Sequence, residues 1–441
     1  MVIKSRRHFV YRGAQTLLAT AICSCSTLDR VLMGESSDYR DRVLIIGGGL
    51  SGLLCAYYLH REKIPFLLFE AEERLGGQIL TVAQPFGPAT FVDLGFDAFY
   101  EDDTHWLTLI RQLQLDIHAF SYQKISFWKD TQEPEGFLNG IKYPRLHSKD
   151  SDLWKRKTNW YHLSLEEWAK SLSTHPKWLE AVYFWSLGRT GYRWNLIPAA
   201  YFIKLYQKGK TYPWMQNQLV VTGGMETLID RLSGEIFGAF PSQKLRLGYQ
   251  LVAISRDGNN WSLLFQSPTG RKRYLARSLV LAINPQVVPL ILGAKDWMNW
   301  GFFSSHLNQK WCYSVDYNLT SWQWGEFPSW VRKYVRKSLW GETKDVALIK
   351  FQTSVPKFIA KNGVVSSSVL SINWQHQNFI KGRSPGNLVA KYQPIWTAPE
   401  GVFFTHDLSN VLANEPFLSG WEALLKNAQI VTEKAKQFLR T

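Results

Sequence analysis

Cysteine is scarce in this chain, with four among 441 residues. Two of them, Cys23 and Cys25, fall in a short leader, and Cys55 and Cys312 alone do not indicate a disulfide framework. No paired-cysteine or histidine–glutamate zinc spacing is present, so no metal site is expected. The apolar stretch from Gly13 to Ile22 is too short to span a bilayer as a stable helix. Internal repeats are missing, as are helix-turn-helix, zinc-finger and single-strand-binding signatures. Acidic residues are in deficit, 36 against 51 basic ones, for a net charge of +15. Without a nucleic-acid motif, that excess reads as a basic face drawn to anionic lipid or envelope polymer, or as a scattered solubilising surface.

Apolar and aromatic residues, by contrast, are plentiful. A hydrophobic content of 45% in a chain of this length supports a sizeable buried core. The 20 Trp, 19 Tyr and 25 Phe serve packing or line an apolar substrate tunnel.

The most informative run extends from Arg42 to Gln78. Val43-Leu44-Ile45-Ile46 reads as a strand buried on both faces, and it runs directly into Gly47-Gly48-Gly49-Leu50-Ser51-Gly52. This is a G-x-G-x-x-G loop in the required setting between strand and helix. Gly47 permits the tight turn, Gly49 admits a pyrophosphate to the backbone, and Gly52 lets the helix pack on the strand. Amides at Leu50 and Ser51 then face the phosphates. A second strand, Pro65 to Phe69, delivers Glu70 at its carboxyl end, where a carboxylate can hold a ribose diol. The same crossover unit serves FAD and NAD, so the loop by itself leaves both open.

Glu70-Ala71-Glu72-Glu73-Arg74-Leu75-Gly76-Gly77-Gln78, followed by Val92-Asp93-Leu94-Gly95, resembles the flavin-containing amine oxidase superfamily, whose pattern is E-A-x-x-R-x-G-G-R and then D-x-G. Thr222-Gly223-Gly224-Met225-Glu226-Thr227-Leu228 resembles its G-G-M-x-x-L helix start. Gly401-Val402-Phe403-Phe404-Thr405-His406-Asp407 resembles its late strand and turn. The resemblance implies a Rossmann-type α/β fold, a parallel sheet flanked by helices, carrying an inserted α+β substrate domain. It also implies FAD, bound noncovalently because no cysteine stands at the family's attachment position. Cofactor contacts are then expected at Gly47, Gly49, Leu50, Ser51, Gly52, Glu70, Ala71, Gly76, Gly77, Gln78, Leu94, Gly95, Leu251 (beside the adenine), Asp407 (on the ribityl chain) and Leu418.

By the same resemblance, a hydride equivalent passes from a substrate carbon, as in an amine, to flavin N5, with oxygen or a quinone as acceptor. The small-molecule partner is otherwise unspecified. Lys310 is the candidate for the lysine that holds a water near N5, the alternative being an exposed strand-end lysine. Phe417 is the candidate aromatic wall beside the flavin, or else a packing staple. Gln78, His406 and Trp421 depart from the family's arginine, glycine and small residue. Two other readings therefore stand: a desaturase or dehydrogenase acting on a large apolar substrate, and a noncatalytic envelope protein that keeps the flavin fold.

Ser5-Arg6-Arg7-His8-Phe9-Val10 and the short apolar stretch after it resemble a twin-arginine export signal, which predicts an exported protein, periplasmic or anchored on the outer side of the cytoplasmic membrane. Cys25 stands where a lipobox cysteine would be acylated, although the box lacks its usual leucine. Lipidation, plain cleavage and an uncleaved anchor all remain open. The expected organisation is a signal over 1–25, a polar leader over 26–41, a flavin domain from 42–110, 211–295 and 385–441, and a substrate domain from 111–210 and 296–384. Leu163 to Lys210 has helical periodicity, while Lys310 to Leu319 and Asp345 to Gln352 read as strands. Leu245 to Ala282, broken at Asp257-Gly258-Asn259-Asn260 and Pro268-Thr269-Gly270, predicts a small antiparallel excursion.

Overall fold

The computed structural model describes residues 37–83, 91–93, 99–101, 103–120, 163–176, 178–179, 182–183, 194–196, 199, 218–238, 241–283, 291, 311–316, 322–323, 330–336, 346–353, 359–360, 369–373, 400–405 and 420–440. Strand β1, Val43–Ile46, leads into helix α1, Leu50–Arg61, and strand β2 follows at Phe66–Phe69. Pro65 stays outside β2, because proline has no N–H for the ladder, but its carbonyl accepts from Val43 N at 3.0 Å. Helix α2 is Thr104–Gln112 and α3 is Glu226–Phe237. Next come β3, Leu245–Arg246, a meander of β4, Gln250–Asp257, β5, Asn260–Ser267, and β6, Gly270–Ala276, and then β7, Ser278–Leu281. Strand β8, Val402–Phe404, and helix α4, Gly420–Arg440, complete the elements around the central sheet.

The central sheet is parallel throughout, in the order β8-β7-β1-β2-β3. Parallel strands need both faces covered, and here the two covers differ. Val43, Ile45, Phe66, Leu68 and Val280 point into a core shared with α1, α2, α3 and α4. Their neighbours Leu44, Ile46, Leu67, Phe69, Leu279 and Leu281 point the other way, into a core built with Trp261, Leu263, Phe265, Tyr274 and Ala276 of the meander. The helices therefore flank one face, and the antiparallel meander covers the other. Both arise from the period-2 alternation of a strand. The meander turns at Gly258-Asn259 and Pro268-Thr269, where the antiparallel excursion is expected.

Phe69 is central to the second core. It is 1% exposed, stacks on Phe265 at 4.3 Å between centroids, and meets Tyr274 edge-on at 4.9 Å. Since Glu70 is the next residue, this packing also fixes where the carboxylate starts.

Farther along, Trp311–Asp316, Trp330–Arg336, Val346–Thr353 and Val369–Asn373 form a second, antiparallel sheet, which includes both of the strands expected there. Helix Leu165–Leu172 begins with a Ser164–Glu167 capping box within the segment of helical periodicity. Among the described residues no helix is long and apolar enough to cross a membrane, and no cluster of His, Cys, Asp or Glu could hold a metal ion.

Candidate functional site

The carboxyl ends of β1 and β2 open at one edge of the sheet, where ligands of open α/β sheets bind. There the three glycines of the loop have separate tasks. Gly47 has φ +109°, and a Cβ on it would meet the Ala282 carbonyl oxygen at 2.5 Å. A Cβ on Gly52 would lie 1.9 Å from the Gly47 carbonyl oxygen, so only glycine lets α1 come this close to the turn. Gly49 has ordinary backbone angles, and a Cβ there would meet only the Cα of Gly77, at 3.8 Å. Its lack of a side chain is required by neither the turn nor the packing, and it leaves the cleft open.

Helix α1 starts at this cleft with no side-chain cap and no acidic residue in its first turn. Its leading amides, including those of Leu50 and Ser51, are donors that an anion can satisfy, and the helix dipole adds to the attraction.

Glu70 is 8% exposed. Its Oε2 accepts from Gly48 N at 2.6 Å and its Oε1 from Glu72 N at 2.8 Å. The acid thus fixes the glycine loop from the carboxyl end of β2. A carboxylate accepts about four hydrogen bonds, and two of them go to backbone amides here. The pairing of Glu70 with Gly48, 22 residues earlier, has no counterpart in the local sequence pattern.

The double-glycine loop forms the opposite wall. Gly76 bridges Gly49 in parallel, and Gly76 N donates to Gly48 O at 2.9 Å. Gly76 and Gly77 have φ +100° and +58°. Arg74 holds this turn together, donating to Leu75 O, Ile79 O and Gly77 O at 3.1, 3.0 and 2.6 Å. Gln78 follows, half-buried. Gly248 N donates to Glu72 O at 3.0 Å and Tyr249 N to Glu70 O at 2.8 Å, which lays the segment entering Leu251 alongside Ala71. The pairing of β4 with β5 slips between Leu251 and Ala253, so Val252 bulges out, 39% exposed.

Asp93 has a role that the motif alone does not reveal. It is 1% exposed, accepts from Thr81 Oγ1 at 2.5 Å, and accepts from Met225 N at 3.0 Å. Thr81 Oγ1 in turn accepts from Glu226 N at 3.0 Å, and Glu226 Oε2 accepts from Thr81 N at 3.2 Å. Residues from two distant blocks therefore cap α3 together. A Cβ on Gly224 would strike Thr81 at 2.4 Å, which explains the second glycine of G-G-M.

Helix α4 is moored at its amino end by Glu422, 3% exposed, which accepts from His105 N at 2.7 Å and Trp106 N at 3.1 Å and pairs with His105 Nδ1. These contacts also cap α2. Asn427 Nδ2 donates to Thr405 O at 2.6 Å, fixing α4 against the end of β8. Cys55 is buried in α1 beside Ala428, and burial pushes its thiol up to about 12, as suits a packing residue.

The structure thus brings together Gly47, Gly49, Leu50, Ser51, Gly52, Glu70, Ala71, Gly76, Gly77 and Gln78, with Leu251 approaching from the meander. Lys310, Phe417, Leu94, Gly95, His406, Asp407 and Leu418 lie outside the described residues. The cleft fits FAD: open glycine backbone and uncapped amides for a diphosphate, and a buried carboxylate beside it for a ribose.

Comparison with known proteins agrees. The L-amino acid oxidase of Cerastes cerastes is 24% identical over 272 residues, 54% of this chain and 50% of that protein. Coproporphyrinogen III oxidase of Bacillus subtilis (strain 168) is 34% identical over 86 residues, 18% of each chain. This chain therefore spans half or less of the length of these curated relatives. The solved structure of putrescine oxidase bound to putrescine superposes over 92% of this chain and 100% of its own, with a TM-score of 0.61 and 14% identity, a likeness of fold. Residues 50–298 match the model of the flavin containing amine oxidoreductases, and with the cleft described above this makes the chain a member of that family, whose cofactor is FAD.

Proposed function

We propose that this protein is an FAD-dependent oxidoreductase that removes a hydride equivalent from a substrate carbon, an amine being the substrate class that the family and the relatives favour. The observation that carries the reading is the glycine cleft, where Gly49 faces Gly77 across open space while Gly47 and Gly52 are tightly packed. Bound there, FAD supplies the two-electron acceptor. The chain's own residues bind and orient it: α1 amides hold the diphosphate, Glu70 holds the ribose, and the moored α4 presents its amino end. We assign Lys310 and Phe417 to the substrate side, with residues 111–210 and 296–384 forming the surrounding pocket and oxygen or a quinone taking the electrons.

The test is an absorption spectrum of the purified protein followed by anaerobic titration with amines and L-amino acids. A flavin spectrum that bleaches on titration supports the proposal, whereas colourless protein that refuses added FAD refutes it. A second reading, oxidation of a large apolar substrate, is favoured by the match to coproporphyrinogen III oxidase. Bleaching by a porphyrinogen but by no amine would select it. We also read Ser5-Arg6-Arg7 as an export signal, and the mass of the exported form would reveal the fate of Cys25.

A further inference from the structure

The amino edge of the parallel sheet, opposite the glycine cleft, holds a cavity of about 370 Å³ lined by Arg42, His60, Lys63, Phe66, Gln243 and Lys244, together with Ile64 and Pro65. Four of these residues are basic and none is acidic. Arg42 is partly neutralised by Asp41, at 3.0 and 2.9 Å, so Lys63 and Lys244 supply most of the charge.

The polar groups are preorganised. Lys244 Nζ donates to Ile236 O at 3.3 Å and to His60 Nδ1 at 3.0 Å, leaving its third N–H for the cavity. Because His60 accepts at Nδ1, its ring is neutral with the proton on Nε2, a further donor. Lys63 stands where α1 ends in a Schellman turn, with Lys63 N donating to His60 O at 3.0 Å and Ile64 N to Leu59 O at 2.9 Å. Its φ of 58° is the conformation in which glycine is favoured, yet a lysine occupies it, an exposed residue that lines the cavity.

We infer that this cavity is an anion site for a phosphate or similar oxyanion group, borne by a free metabolite or by a lipid headgroup and separate from the FAD cleft. Protonation is coupled to it. Burial first, then the Lys244 ammonium, hold the His60 imidazole below its ordinary value, while Glu235 of α3 pulls the other way. The remaining nearby charges are Lys63, Arg42 with its partner Asp41, and Glu62, which is paired with Lys436 of α4. A bound dianion favours the imidazolium, so binding tightens as pH falls through the His60 titration and is weakest above it.

The test is calorimetric titration of the FAD-loaded protein with sulfate, whose charge is constant through the histidine range, and then with inorganic phosphate. Saturable binding that strengthens at lower pH is expected. Lys63→Gly relieves the left-handed backbone and removes the ammonium. It should therefore melt higher without ligand yet bind sulfate about tenfold more weakly. Lys244→Met should weaken binding as well, and the raised melting temperature of Lys63→Gly guards against a folding artefact. Vesicles of phosphatidic acid in phosphatidylcholine distinguish the source: pelleting of the parent but not of Lys63→Gly identifies a lipid headgroup, and phosphate binding without pelleting identifies a free compound. Absence of saturable sulfate binding, or equal affinity in Lys63→Gly, overturns the inference.

Discussion

Replacing Gly49 and Gly52 singly by alanine should separate binding from folding within one loop. In Gly52→Ala the new Cβ would lie 1.9 Å from the Gly47 carbonyl oxygen and 3.2 Å from Ala282 Cβ. Helix α1 would have to recede by roughly 1 Å or more, although it is held between the sheet, α3 and α4. Overpacking of this kind costs about 1–3 kcal/mol, and backbone oxygens cannot rotate away as a side chain can, so the upper end applies. Alanine's helix propensity returns about 1 kcal/mol. A net loss of about 2 kcal/mol corresponds, in a chain of this length, to a Tm lower by roughly 2–4 °C. Gly49→Ala differs in every respect. Its φ of −69° and ψ of 175° suit any residue, and the nearest atom to the new Cβ is 3.8 Å away. The weaker cap and the lower unfolded-state entropy offset each other to within about 0.5 kcal/mol. The methyl group, however, occupies the space where phosphate oxygens would meet the α1 amides. Losing one charge-assisted hydrogen bond costs about 1.5–3 kcal/mol, or roughly 10- to 150-fold in Kd. Flavin-fluorescence titration measures the affinity, and thermal unfolding of the FAD-free protein measures the fold. Gly49→Ala binding FAD as tightly as the parent, or losing as much apoprotein stability as Gly52→Ala, would refute the assignment.

Three further outcomes are expected. Asp93→Ala strands the Met225 amide and the Thr81 hydroxyl, costing about 2 kcal/mol by denaturant melt; an effect below about 0.5 kcal/mol would mean that the pair of caps on α3 is energetically idle. Phe69→Ala removes the ring stacked on Phe265 and should cost about 3–5 kcal/mol. FAD affinity should fall with it, since Glu70 loses its anchor, and unchanged affinity would detach the carboxylate from that packing. Cys55, pushed up to about 12 by burial, holds roughly one thiolate in ten thousand at pH 8 and should resist a thiol reagent until the protein is unfolded; prompt native-state labelling at this position, mapped by peptide mass, would contradict the burial.

The sequence displays those parts of the site that depend on local pattern. The unbroken run Val43 to Ile46 is a strand because both its faces are covered, and the loop glycines are legible because their spacing between strand and helix is a local pattern, although only the Gly52 clash with Gly47 is itself local. The hairpins of the meander are announced by Gly258-Asn259 and by Pro268-Thr269. What stays hidden depends on separation. Asp93 meets Met225 across 132 residues and Glu422 meets His105 across 317, and no periodicity encodes such distances. The meander's place on the sheet is equally silent, because a strand buried on both faces reads the same whether helices or strands cover it. The basic cavity escapes for another reason. Arg42, Lys63 and Lys244 are unremarkable surface cations until three strand beginnings bring them together.

The strand order also sets a timetable for making the protein. β1 lies between β2, supplied some twenty residues later, and β7, supplied only after residue 278, while β8 closes the far side at 402–404. A growing chain emerging from the ribosome therefore carries its phosphate-gripping turn long before the neighbouring ladder exists to hold that turn in shape. Flavin capture is in consequence a late event in biogenesis, and through most of synthesis the unpaired flank of β1 requires shelter from wrong partners.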